Sequence, residues 1–177
     1  MARTSIHLNP VKGDKLAVEA SISKAVVSGI DDLRALQDQV VGPSPWCEVT
    51  QEMVNRFADL TGDHQWIHVD VERAKVESPF GTTIAHGNLT LSLIDGLRRD
   101  LSEWSGFKLG VNYGWNKVRF PAPVLVGAKL RCYSQFIEVS EVGGGWYQVV
   151  TRVTVEAEGG EKPVCVADSV GRLLVEG

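Results

Sequence analysis

The chain has 177 residues, 44% of them hydrophobic and 23% charged, with a formal net charge of −4. That length accommodates one domain with a self-sufficient core, and the composition excludes the disordered and fibrous classes. The acidic balance lacks the clustered basic face of a nucleic-acid binder, and no apolar run approaches the ~20 residues of a membrane span, so no nucleic acid and no membrane is expected among its partners.

At the start, Met1 to Pro10 lacks the basic-then-apolar pattern of a secretory signal. The first forty-odd residues have helical character, most clearly over Asp31-Asp32-Leu33-Arg34-Ala35-Leu36-Gln37, where two acids suit the positive end of a helix dipole. Gly42-Pro43-Ser44-Pro45 stops that helix, because proline cannot continue it. A short strand is expected over Trp46–Val49. Thr50 then caps a helix to about Leu60, with Met53, Val54, Phe57 and Leu60 on one face. After the polar turn Thr61–Gln65, Asp70 caps a brief helix near Val71–Lys75. A longer helix is expected from about Asn88 to Trp104, its wide apolar face made by Leu89, Leu93, Ile94, Leu97 and Leu101.

Beyond that helix the periodicity changes. Strands are expected near Val111–Phe120, Lys129–Val139, Trp146–Ala157 and Val164–Val175. Within Val149–Glu156 apolar and polar residues come to alternate, the pattern of a strand with one covered and one wet face. Gly143-Gly144-Gly145 and Glu158-Gly159-Gly160 supply the reversals. Helices first and antiparallel strands afterwards make an α+β domain in which a long apolar helix covers the sheet. The three cysteines, Cys47, Cys132 and Cys165, are scattered with no CxxC or zinc-like spacing, which fits a reducing, cytoplasmic setting. Cys132 and Cys165 fall in strand-like runs and read as core residues.

Chemistry concentrates in Phe57–Asp70. Asp63 and His68 stand five residues apart after a helix end and a glycine, and a tight turn brings such a pair onto one water. Histidine has the right unperturbed pKa for proton transfer near neutrality. Further on, His86-Gly87-Asn88 opens the apolar helix, where free N–H groups and the helix dipole stabilise a negative oxygen. Gly87 lets a carbonyl approach the backbone. The bland reading has Asp63 capping a turn and His68 as a structural histidine. His64 and His68, with Asp63 and Asp70 nearby, superficially suggest a metal site, yet no third ligand has recognisable spacing. For His86, fixing the loop and lining the site are equally open.

The segment Phe57-Ala58, Thr61-Gly62-Asp63, Ile67-His68, Asp70 and His86-Gly87 resembles the signature of the MaoC-like dehydratases, the family of (R)-specific enoyl-CoA hydratases. Weaker similarity runs on through Asn112–Val124 and points to the nodulation-protein-N-like branch; the match covers about residues 45 to 175. The resemblance implies a hot-dog fold, a long helix wrapped by an antiparallel sheet, over residues 45–177, with residues 1–44 as an N-terminal helical extension. It also implies a homodimer that hydrates trans-2-enoyl-CoA, or the carrier-protein thioester, to the (R)-3-hydroxyacyl product without metal or redox cofactor. By motif position Asp63 and His68 are the catalytic pair, and the Gly87 N–H binds the thioester carbonyl. His86, Asn88, Trp66 and Asp95 are the remaining substrate-binding positions. Two departures bear on substrate: Gln65-Trp66 replaces the family's Asn-Pro, and Asp95 stands where many hydratases carry a serine in the long helix. The competing readings are a hot-dog thioesterase and a non-catalytic acyl-thioester-binding subunit.

Overall fold

The computed structural model describes residues 21–176. Of the N-terminal extension, residues 21–44 are therefore described, and helix is only part of it. Strands β1 (Ser21–Ile22) and β2 (Ala25–Val27) precede helix α1 (Ile30–Ala35), and β3 (Val40–Val41) follows it. Val27, Leu33 and Val41 are buried completely or nearly so, which is why this segment packs into the body of the molecule. Strand β4 (Cys47–Glu48) leads to helix α2 (Gln51–Thr61), whose cap Thr50 accepts a hydrogen bond from the Met53 N–H. On α2, Val54 and Ala58 are buried with Met53 and Phe57 packed beside them. Leu60 departs from expectation: it is 84% exposed, since six residues past Val54 it falls off that stripe.

A single turn, α3 (Trp66–Val69), is followed by α4 (Val71–Glu77), with the Asp70 carboxylate capping the Arg73 N–H. The expected long helix is shorter than its apolar spacing suggests. Helix α5 runs Gly87–Leu97, a 3-10 turn follows over Arg99–Leu101, and Ser102–Trp104 forms strand β5. Parallel pairing of β5 with β2 takes these last residues out of the helix.

Four long strands complete the chain: β6 (Phe107–Arg119), β7 (Lys129–Gly143), β8 (Trp146–Ala157) and β9 (Cys165–Val175). They pair antiparallel in the order β7-β8-β9-β6, and β1, β3 and β4 extend the sheet on the β7 side. Inward-facing rows of β7, β8 and β9 build the core with Leu89, Ile94 and Leu97 of α5, which packs on β7 and β9. Cys132 and Cys165 belong to this core, and burial pushes both thiols up to about 11. No described helix is long and apolar enough to cross a membrane.

Candidate active site

The site forms where three segments meet at the N-terminal end of α5. Helix α2 ends at Gly62, whose positive φ of 78° lets the chain reverse while its N–H bonds back to the Ala58 carbonyl. The reversal leaves Asp63 on the outside, its side chain 56% exposed. The short turn of α3 then carries His68 inward, to 7% exposure. Gln51 holds this arrangement: its amide donates to the His68 carbonyl at 2.8 Å and accepts from the Thr83 hydroxyl.

His68 is oriented from the other side. Its Nδ1 donates to the Ile84 carbonyl at 2.7 Å, which leaves Nε2 with a free lone pair. Ile84 is itself pinned, because its N–H bonds to the Ile67 carbonyl and it forms an isolated bridge with Leu125. Burial holds the His68 pKa below the usual 6.5; the Ile84 bond opposes this, nearby His86 adds to it and Asp63 opposes it. His68 is therefore neutral at physiological pH and able to take a proton.

His86, the residue before α5, stacks on His68 with ring centroids 3.8 Å apart and planes inclined by 27°. Its Nε2 donates to the Asp63 backbone carbonyl at 2.9 Å and lies 4.0 Å from the Asp63 carboxylate. One ring thus fixes the height of His68 and the position of Asp63 together. Its Nδ1 is buried without a partner among the described residues. Asp63, His68 and His86 offer ligand-type atoms that all lie within 4.8 Å of one another. The stacking suits a metal poorly: an ion bonded to both rings must lie in both ring planes, and planes inclined by 27° do not meet within about 2 Å of the nitrogens. The arrangement suits proton transfer.

Beside this group a cavity of about 310 Å³ is lined by His68, Gly87, Thr90, Phe120, Pro123 and Val164. The first α5 bond runs from the Thr90 N–H to the His86 carbonyl, so the Gly87 and Asn88 N–H groups have no partner within the helix. A Cβ on Gly87 would stand 2.9 Å from the Phe120 ring, so the close approach of ring and backbone requires glycine.

The structure thus brings Asp63, His68, His86 and Gly87 together. Asn88 is exposed one residue further on, and Trp66 is half-buried with the Arg73 guanidinium 4.4 Å from its ring centroid. Asp95 stands apart from these residues: it pairs with Arg98 at 2.6 Å and lines a different cavity. His64 lies 3.9 Å from Asp59 and takes no part in the cluster. Gln51, the Ile84 carbonyl and the Phe120 ring are features that sequence reasoning missed. Phe120, in Arg119-Phe120-Pro121-Ala122-Pro123, lay in the stretch Asn112–Val124 that the resemblance singled out.

Residues 32–159 match the family model of the MaoC-like domain. The chain belongs to the MaoC-like dehydratase family. A 3-hydroxyacyl-thioester dehydratase Z from Mycobacterium tuberculosis is 53% identical to this MaoC-like chain over 145 residues, 82% of the chain and 95% of that relative. Nodulation protein N from Rhizobium meliloti is 38% identical over 140 residues, 78% and 87% of the two chains. Among solved structures, the unliganded (R)-hydratase PhaJ1 from Pseudomonas aeruginosa superposes with a TM-score of 0.58 at 22% identity, covering 78% of this chain and 81% of that one. The fold is the hot-dog of these enzymes, a helix laid on an antiparallel sheet, and the protein is a hydro-lyase.

Proposed function

We propose that this MaoC-like protein adds water to trans-2-enoyl thioesters of CoA or of a carrier protein, giving (R)-3-hydroxyacyl thioesters, and runs the reverse dehydration. The observation that carries the reading is the fixed His68 tautomer, Nδ1 donating to the Ile84 carbonyl, in a ring that has a nitrogen within 4.8 Å of an Asp63 carboxylate oxygen close to the N-terminus of α5. The names of the relatives, a hydroxyacyl-thioester dehydratase and an (R)-hydratase, support the same reaction.

Asp63 and His68 hold one water between them. As its oxygen bonds to C3, the pair takes a proton, and the C2–C3 π electrons move toward the thioester carbonyl. That oxygen gains negative charge and is stabilised by the Gly87 N–H and the positive end of the α5 dipole. The proton then passes to C2, so one water is consumed and the pair is restored. His86 positions both members. The chemistry needs neither metal nor redox cofactor, and it takes place in the cytoplasm.

A homodimer completes the proposal. Strand β6 lies at the sheet edge with its outer side unpaired among the described residues, and its Leu109, Val111 and Tyr113 are exposed. An unpaired 13-residue edge that carries these exposed apolar side chains is suited to pairing with a second copy of itself.

The test is absorbance at the conjugated enoyl-thioester band, with crotonyl-CoA and then longer trans-2-enoyl-CoAs. Loss of absorbance is expected, and Asp63→Asn should slow it by roughly three orders of magnitude or more, beyond the ordinary share of one acid–base group because the water also loses its anchor. A near-normal rate in Asp63→Asn sinks the assignment of the pair. Binding without turnover at every chain length favours a non-catalytic subunit.

A further inference from the structure

Each of the three central strands carries one hydroxyl in an otherwise apolar inward row. On β7, Ser134 interrupts Leu130, Cys132 and Phe136; on β8, Thr151 interrupts Val149, Val153 and Val155; on β9, Ser169 follows Cys165 and Ala167. Thr151 lies directly opposite both Phe136 and Ser169, and Ser134 is the next inward position along β7. Valine would fill any of these places at no polar cost.

All three hydroxyls line a cavity of about 470 Å³, which also has apolar walls from Leu101, Phe136 and Val149. Ser134 is only 6% exposed, and its Oγ finds no hydrogen-bond partner among the described residues. A buried hydroxyl left unpaired is costly to keep, so its partner is to be sought in whatever enters the cavity.

Helix α5 walls both cavities. Gly87 and Thr90 face the first, whereas Asp95 and Arg98 stand at the second. The eight residues from Gly87 to Asp95 span roughly 12 Å of helix. A thioester held at Gly87 has the second cavity within reach of a medium-length acyl chain.

We infer that the second cavity holds the distal part of an acyl group bearing its own hydroxyl or carbonyl oxygen, and that Ser134, with Thr151 and Ser169 beside it, hydrogen-bonds that oxygen. The inference rests on the thioester reading of the first site and narrows its substrate class from plain alkyl chains to oxygenated ones. It also gives the Asp95–Arg98 pair a place, at the wall of the distal chamber and away from the reacting atoms.

The test separates the chamber from the chemistry. Calorimetric titration with decanoyl-CoA and with ω-hydroxydecanoyl-CoA, both saturated and so not hydrated, reads affinity alone. The ω-hydroxy compound should bind wild-type protein about fivefold to tenfold tighter, the worth of one buried hydrogen bond. Ser134→Val should erase the difference, and Thr151→Val, a change of similar shape, should reduce it if the first variant fails to fold. Equal affinities for wild type, or a preference that survives both substitutions, overturn the inference and leave the cavity simply water-filled. Crotonyl-CoA is too short to reach Ser134, so its hydration reports on the first site alone. No turnover of crotonyl-CoA or of any longer trans-2-enoyl-CoA, beside an intact ω-hydroxy preference, would remove the hydratase reading and keep the chamber.

Discussion

The replacement Gly87→Ala isolates the contact between the helix start and the pocket wall. The added Cβ meets Phe120 Cδ2 and Cε2 at 2.9 Å and Cγ at 3.2 Å, closer than carbon atoms tolerate. Backbone strain does not enter, because Gly87 lies in a helix, where alanine is favoured by up to about 1 kcal/mol. The clash must be relieved by Phe120, whose ring is 42% exposed and free to swing outward. Overpacking costs about 1–3 kcal/mol in a closed core and falls at the low end here. The two contributions nearly cancel, so Tm should move by no more than about 4 °C. Activity should behave differently. The methyl group and the displaced ring both sit where a thioester carbonyl reaches the Gly87 N–H, and losing one such donor costs on the order of 10²-fold in turnover. Paired melting curves and kcat/KM on crotonyl-CoA decide the matter. Unchanged kcat/KM would refute the carbonyl-binding role of Gly87, and a collapse in Tm would show that Phe120 cannot move.

Two further perturbations test the burial of titrating groups. Because the folded His68 pKa lies below its ordinary 6.5, its neutral form stabilises the fold above pH 6.5, and that stability is lost as pH falls through the lowered value. Melting temperature and kcat/KM should both decline on the acid side of 6.5; His86→Phe, which keeps a stacked ring but removes the imidazole that helps lower the His68 pKa, should shift the acid limb of the rate profile upward. An unmoved limb would show that His86 does not tune His68. Cys132 and Cys165 are buried with thiols near 11, whereas Cys47 is half-buried, so a disulfide reagent at pH 8 should titrate one thiol quickly in native protein and three in denaturant. Rapid reaction of two or three native thiols would contradict the core described here.

Much of the scaffold is legible in the residues because local signals and tertiary needs coincide. Thr50 and Asp70 cap the helices they precede, and the alternation in Val149–Glu156 survives because one face of β8 is covered. Legibility fails where a distant segment competes. Leu101 and Trp104 continue the helical apolar spacing, yet Ala25–Val27, some eighty residues earlier, recruits Ser102–Trp104 into a strand. The same holds for the N-terminal extension, whose Val40–Val41 pairs with Gln135 and Ser134 of β7, more than ninety residues later, as well as with the nearby Ser21–Ile22. Propensity within a window carries no information about such partners.

The candidate site divides along the same line. Asp63 and His68 are five residues apart, and one glycine-ended helix and one short turn suffice to fold them toward each other. His86 is a different case. Its spacing suggests a helix start, but its stack on His68 and its bond to the Asp63 carbonyl depend on a loop pinned by Ile67 and Val124. Asp95 shows the converse limit. Eight residues of straight helix carry it away from Gly87 to another cavity, whatever residue its position matches in the motif. Spacing along the chain therefore makes the proximity of Asp63 and His68 legible, because they sit on one local turn, whereas the walls of the second cavity come from β7, β8 and β9, where only the inward row of each strand shows that Ser134, Thr151 and Ser169 meet.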